Sequence, residues 1–233
     1  MQNGELQDTE LGRIVIKVNL RARNIILRVR PDAIYVTVPC GVTEREVKDV
    51  VDKYRLKLSK DREKVERKRI DLDYRIEADY FKLSLVRGER DKFLAHSELG
   101  NMTIICPPTA NFDDEKLQEW LRKVILEALR RNAKIILPPR LYQLSNQLSL
   151  LYESVKINSS KGRWGSCSAH KAINLSCYLM LLPRHLIDYV LLHELSHTKE
   201  MNHGERFWAL LNSLTEGKAH ALRNELKKFR TEL

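Results

Sequence analysis

Pro183-Arg184-His185-Leu186-Ile187-Asp188-Tyr189-Val190-Leu191-Leu192-His193-Glu194-Leu195-Ser196-His197-Thr198-Lys199-Glu200 is the stretch on which the reading of this chain turns. Pro183 suits a helix start, where a missing N–H costs nothing. Leu186, Ile187, Tyr189, Val190, Leu191 and Leu192 then surround the axis, so the spacing predicts a helix that is apolar nearly all round and therefore buried. Into it fall His193, Glu194 and His197. Burying two imidazoles and a carboxylate without purpose is costly.

Residues four apart differ by only about 40° around a helix, so His193 and His197 project from one face. Their ring nitrogens can meet one zinc ion at about 2.0–2.1 Å. Glu194 is offset by about 100°, beside such an ion rather than on it, where a carboxylate can take a proton from water. That is the arrangement of an HExxH metallohydrolase. A third ligand completes it: His203, ten positions after His193. A straight helix would carry His203 about 15 Å along the axis, so the chain must turn back between Thr198 and Asn202. The glycine usual at that turn in the longer HExxHxxGxxH pattern is replaced by Glu200, leaving Asn202 and Gly204 to bend the chain through left-handed backbone. Glu200, Glu205, His170 and His220 are rival ligands. Asp188, Glu200 and Glu205 are each placed to orient a ligating imidazole.

Working outward, Asp113 to Asn132 forms an amphipathic helix striped by Leu117, Trp120, Leu121, Val124, Leu126 and Leu129. Pro138-Pro139 is expected to interrupt it, with a second helix over Leu141 to Leu151. Ser154–Ile157 and Ala172–Ser176 read as short strands around a glycine-rich connection, and helices are expected over about 183–199, 204–214 and 217–230. The amino-terminal third reads as strands. These are Ile14–Val18, Asn24–Arg30 and Ala33–Val38 around a turn at Arg30-Pro31-Asp32-Ala33, then a helix boxed by Thr43 and Glu46. Further strands are expected over 74–86, 91–96 and 101–106. Pro107-Pro108 marks a boundary between a β-rich region, 1–110, and a mainly helical catalytic domain with a small sheet, 111–233. The fold class is α+β, and no internal repeat is evident. The charged run Ser59 to Arg69 reads as a solvated helix end in preference to a nucleic-acid arm.

Composition bounds the rest. At 233 residues, 43% hydrophobic and 31% charged, the chain can bury a core and is not disordered. Its start is too polar for a secretory signal, and no apolar run reaches the length of about 20 residues that spans a bilayer. The expected location is cytoplasmic, with no membrane partner. Cys40, Cys106, Cys167 and Cys177 are scattered and form neither a disulfide framework nor a zinc site. A net charge of +10 favours anionic partners, nucleotide or nucleic acid among them.

Gly162-Arg163-Trp164-Gly165-Ser166-Cys167-Ser168, Ile173-Asn174-Leu175, Ile187-Asp188-Tyr189-Val190 running into His193–His197, Asn202-His203 and Phe207-Trp208 together resemble the YgjP-like family of metal-dependent hydrolases, itself distantly similar to SprT-like and WLM zinc proteases. The likeness covers most of the chain, including Val36-Thr37-Val38-Pro39. It implies a zincin-type fold with His193, His197 and His203 as zinc ligands and Glu194 as general base. Arg163 and Asn174 are expected as substrate-binding residues. Arg163 is placed to meet a carboxylate or phosphate, and Asn174 lies on a strand able to pair with an extended peptide. Cys167 and Tyr189 read first as packing residues, and Phe207 and Trp208 as helix core. The first expectation for function is a zinc metallopeptidase acting on peptide or protein. One alternative is a nucleoside triphosphate pyrophosphohydrolase using the same site; the other is a nucleic-acid-binding module with a structural metal.

Overall fold

A computed structural model describes residues 3–30, 32–65, 68–230 and 233, and the chain divides into two compact units, Met1–Lys68 and Arg69–Leu233. In the first, alternation builds a four-stranded sheet from β1 (Gly4–Asp8), β2 (Gly12–Val18), β3 (Ile26–Val29) and β4 (Ile34–Val38). The order is β1-β2-β4-β3, with β2 and β4 parallel and the outer pairs antiparallel. Ile14, Ile16, Ile34, Val36 and Val38 turn one way and are buried, joined by Val47, Val51 and Leu58 from α1 (Glu44–Lys53) and α2 (Arg55–Val65). The expected Thr43–Glu46 box caps α1: Glu46 N–H donates to the Thr43 hydroxyl, and Thr43 N–H donates to the Glu46 carboxylate. β1 is a largely polar edge strand, with Glu5 and Gln7 exposed, that hydrophobic patterning does not reveal. The β3–β4 hairpin is closed by Arg30 N–H donating to the Ala33 carbonyl at 3.0 Å; Pro31 of the expected turn lies outside the described residues. So do Glu66 and Arg67 of the charged run, whose 59–65 stretch is the second half of α2.

The second unit repeats the arrangement. β5 (Arg75–Ala78), β6 (Phe81–Arg87), β7 (Leu94–Glu98) and β8 (Asn101–Cys106) are ordered β5-β6-β8-β7, with β6 and β8 parallel between antiparallel partners. Two successive hairpins thus join through their second and fourth strands in both units, and a helix follows each. No internal repeat is evident in the residues; the repeat lies in strand order and direction. The strand expected over 74–86 is two strands, turned at Asp79-Tyr80.

The helix after this second sheet, α3 (Glu115–Leu148), runs unbroken through Pro138 and Pro139. The expected interruption is therefore absent. Each proline removes a helix hydrogen bond, at a cost of about 3 kcal/mol, yet both halves of α3 are anchored in one core. Leu121, Ile125 and Leu129 precede the prolines and Leu141 and Leu144 follow them, packed with Phe81, Leu83, Leu85 and Ile104. Because α3 and β5–β8 share this core, the boundary expected at 110/111 falls inside the second unit. The helix ends at Ser149, in left-handed backbone.

A three-stranded sheet follows: β9 (Ser154–Asn158), β10 (Gly165–Cys167) and β11 (Ala172–Ser176), in the order β10-β11-β9. After a 3-10 turn at Cys177–Leu181 come α4 (Arg184–Ser196), α5 (Glu205–Leu214) and α6 (Ala219–Leu226). α4 begins with Arg184 N–H donating to the Asp79 carboxylate at 2.7 Å, an acid from the β5–β6 turn at the positive end of the helix. The architecture is α+β. Among the described residues no helix is long and apolar enough to cross a membrane.

Candidate metal centre

From Leu186 onward α4 is largely buried, and its apolar residues hold it in the core while His193 and His197 lie at its carboxy-terminal end. The helix stops at Ser196, and the chain reverses on short bonds: Thr198 Oγ donates to the Leu195 carbonyl at 2.8 Å, and Glu200 N–H to that of Ser196 at 2.9 Å. No left-handed residue is used. Asn202 has no positive φ, and Gly204 is extended at φ −80°, so the expected left-handed bend at these two residues does not occur. The reversal brings His203 Nε2 to 3.1 Å from His193 Nε2. Ligand nitrogens of His193, His197 and His203 all lie within 4.8 Å of one another. Beneath them Phe207, fully buried on α5, places its ring 4.9, 4.5 and 4.7 Å from the three imidazoles in that order. Phe207→Ala is expected to cost about 3–5 kcal/mol of stability and to weaken metal binding, read by denaturant unfolding and competitive metal titration; unchanged affinity would show that the rings need no common floor.

The donor chemistry suits a cation. Burial, reinforced by the charges of His197 and His203, pushes the His193 imidazole down to about 3, so it stays neutral and keeps a lone pair. Burial also lowers His197. The Glu200 carbonyl lies 3.0 Å from His197 Nδ1 and can only accept, so Nδ1 carries the proton and Nε2 is free to ligate. Two facing Nε2 atoms at 3.1 Å are satisfied either by a proton on one of them or by a cation shared between two lone pairs. Glu194 completes the picture: it is 5% exposed, its Oε2 has no hydrogen-bond partner, and burial raises its carboxyl to about 8, opposed by the Arg163 charge. Three converging imidazoles beside an unsatisfied buried carboxylate fit a divalent metal. The lowered His193 and His197 and the raised Glu194 share one leading cause, desolvation by burial.

Glu194 is wedged by backbone. A Cβ added to Gly165 would lie 2.6 Å from Glu194 Oε1 and 2.7 Å from its Cγ. β10 therefore runs directly against the carboxylate, and Arg163, Gly165, Ser166, Cys167 and Met201 join His193, Glu194, His197 and His203 around a cleft of about 350 Å³. Arg163 is exposed at its rim. Asn174 does not line it: β11 is the inner strand, and Asn174 sits opposite Ser166 with β9 beyond. A Cβ added to Gly162 would meet nothing within 4 Å, so only the second glycine of the Gly162–Gly165 pair serves close approach. Trp164 packs on the core, and Tyr189 is buried along α4. The Cys167 thiol lines the cleft and is raised by burial and by Glu194.

The rival residues have other work. Asp188 forks with Arg140 of α3, Nε–Oδ1 at 2.8 Å and Nη2–Oδ2 at 2.7 Å, and so ties α3 to α4 rather than orienting a ligand. His220 stacks on Trp208 at 4.4 Å. Trp208 in turn donates its indole N–H to the His203 carbonyl at 3.1 Å, holding the third histidine in place. His170, Glu200 and Glu205 supply no side chain to the cluster, and among the described residues no other group of three metal-ligating side chains comes together. Sequence reasoning assigned Phe207 and Trp208 to helix core and missed their part in holding the histidines; the aromatic pair just past His203 was the available signal.

An α+β unit with three converging histidines, a buried carboxylate and a strand along the cleft fits the class of metal-dependent hydrolases. Residues 23–229 match the family described as YgjP-like, metallopeptidase domain, and the chain belongs to that family. At family level the protein is a metal-dependent peptidase. No curated protein matches the chain. Among solved structures it is similar to the metallopeptidase zymogen of Pyrococcus abyssi abylysin, at 23% identity over 40% of this chain and 95% of that one, with a TM-score of 0.35.

Proposed function

We propose that the protein is a zinc peptidase that hydrolyses amide bonds in extended peptide segments, with Glu194 as general base. The observation that carries this reading is the buried, unpartnered Glu194 carboxylate beside three converging imidazoles. His193, His197 and His203 would hold the ion (Zn2+), in the three-nitrogen arrangement that leaves a coordination position for substrate or solvent. When bound, the ion supplies Lewis acidity, polarising the scissile carbonyl and making water a better acid at neutral pH. Glu194 takes the proton from the attacking water and returns it to the departing amine. Gly165, having no side chain, lets β10 close against Glu194 and fixes the carboxylate's position.

The same strand supports a peptide substrate. β10 pairs with β11 on one side only, and Gly165, Ser166 and Cys167 line the cleft. An extended peptide can add to that edge by backbone hydrogen bonds, bringing a carbonyl alongside the histidines. Arg163 at the rim is the residue assigned to a substrate carboxylate or carbonyl. Asn174 receives no such role, one strand in. Arg163 is also the only cation among the cleft-lining residues, too little positive charge for the triphosphate of a nucleotide, so the pyrophosphohydrolase reading is the weaker one.

The test is cleavage of a peptide library by the purified chain. Chelation is expected to abolish cleavage, with stoichiometric Zn2+ restoring it. Nucleoside triphosphate hydrolysis under the same conditions, without peptide cleavage, would overturn the assignment of the bond. Full activity after verified metal removal would overturn the metal mechanism.

A further inference from the structure

The sheet of the first unit has a second face. Ile14, Ile16, Ile34, Val36 and Val38 turn toward α1 and α2, so the alternate residues face away: Arg13 and Lys17 on β2, Tyr35 and Thr37 on β4, Ile26 and Arg28 on β3. The pairing register sets Val15 and Arg28 on either side of Tyr35 and places Lys17 beside Thr37. Lys17 Nζ lies 5.2 Å, and the Arg30 guanidinium carbon 4.8 Å, from the Tyr35 ring centroid. The Tyr35 hydroxyl donates to Asp32 at 2.6 Å, which fixes the ring. The acid on the outward strand positions is Glu5, already engaged by Arg13 at 2.5 Å. From Arg13 to Arg30 the sequence has six basic residues and no acidic one.

The repeated topology supplies an internal control. On the outward face of the β5–β8 sheet the charged strand residues are Arg75, Glu77, Lys82 and Glu98, which cancel, and Glu77 stands directly opposite Lys82. Tyr35 and Thr103 each lie three residues before the end of the fourth strand, with Arg28 and His96 as their cross-strand neighbours. The same fold is therefore built with a neutral face and no aromatic at that place. A basic face centred on a tyrosine is a property of the first unit's residues, not a requirement of its architecture.

We propose that this face binds single-stranded nucleic acid, independently of the metal cleft, with Lys17, Arg28 and Arg30 on phosphates and Tyr35 beneath a base. Cations attract the phosphate backbone, and an aromatic ring on an open sheet gives an unstacked base a surface to lie on. A glutamate-rich polypeptide would use the charges but not the ring, and a duplex keeps its bases stacked, out of the ring's reach. Lys17 and Arg30, now over the ring, are long enough to move outward onto phosphates as a base takes their place.

The experiment is fluorescence anisotropy of a labelled 12-nucleotide oligothymidylate with the full chain across a salt series. Binding is expected to weaken linearly in the logarithm of salt. The Lys17→Gln/Arg28→Gln/Arg30→Gln variant should weaken it at least tenfold and reduce the slope by about 2, the loss of three phosphate contacts at about 0.7 each. Tyr35→Leu should lower affinity with the slope unchanged, Tyr35→Phe should preserve it, and peptide cleavage should not change in any of these. Absence of binding at low salt overturns the proposal, as does indifference to Tyr35→Leu. Equal binding of polyglutamate or of duplex overturns the assigned partner. If the triple variant does not fold, the two tyrosine variants decide between stacking and charge alone.

Discussion

Glu194→Gln takes up metal as the wild type does and loses peptide turnover by about 10²–10⁴-fold, the contribution of a general base. Glutamine fills the same volume, so the cavity beside Gly165 is preserved, and the three imidazoles that make up the metal cluster are untouched. The loss should fall on kcat, because the carboxylate acts on water rather than on the peptide's binding contacts. Turnover within a few-fold of wild type, with metal bound, would remove Glu194 from the chemistry. A second signature belongs to the metal-free protein. Burial raises the Glu194 carboxyl to about 8, so between its unfolded value and about pH 8 the folded chain holds a proton that the unfolded chain releases. Stability from this group is therefore present at acid pH and lost as pH rises to about 8. Glutamine carries no such proton. The difference between metal-free wild type and metal-free Glu194→Gln in thermal unfolding should grow in the variant's favour from pH 5 to pH 8; parallel curves would contradict it.

The other large effect comes from a single methyl group. Gly165→Ala places a Cβ 2.6 Å from Glu194 Oε1 and 2.7 Å from Cγ, so the carboxylate must move away from β10. A general base displaced by about 1 Å loses about 10²-fold in rate. Metal affinity should hold, since β10 contributes no ligand. The measurement is kcat/KM beside a metal titration. Activity near wild type would mean that β10 yields instead, and that the strand is not what positions Glu194.

Much of this site was legible in the sequence because helix geometry is rigid. His193, Glu194 and His197 have one possible relation once Leu186–Leu192 fixes a buried helix. His203 was readable by its offset, but the means of the turn was not: the reversal uses side-chain and backbone bonds in ordinary conformations, where the residue types had pointed to Asn202 and Gly204. Long-range relations were the hidden part. Asp188 could not be paired with Arg140, 48 residues away, without the fold. β11 could not be known as an inner strand until the three residues of β10 were seen to pair with it. At Pro138-Pro139 a sound local rule gave way because core burial on both sides of the pair exceeded the cost of the missing bonds. The repeat of four strands and a helix escaped notice because topology, not residue identity, is what recurs.

The shortness of β10 has a consequence for solubility. An exposed strand edge beside an open cleft invites pairing between copies of the same chain, the first step of aggregation. Three residues offer too few backbone bonds to hold two such edges together without further contacts. On the proposed reading, a peptide lying along the cleft would add those further contacts, to the metal and to Arg163. An edge of three residues would therefore favour a peptide held in the cleft over a second copy of the chain.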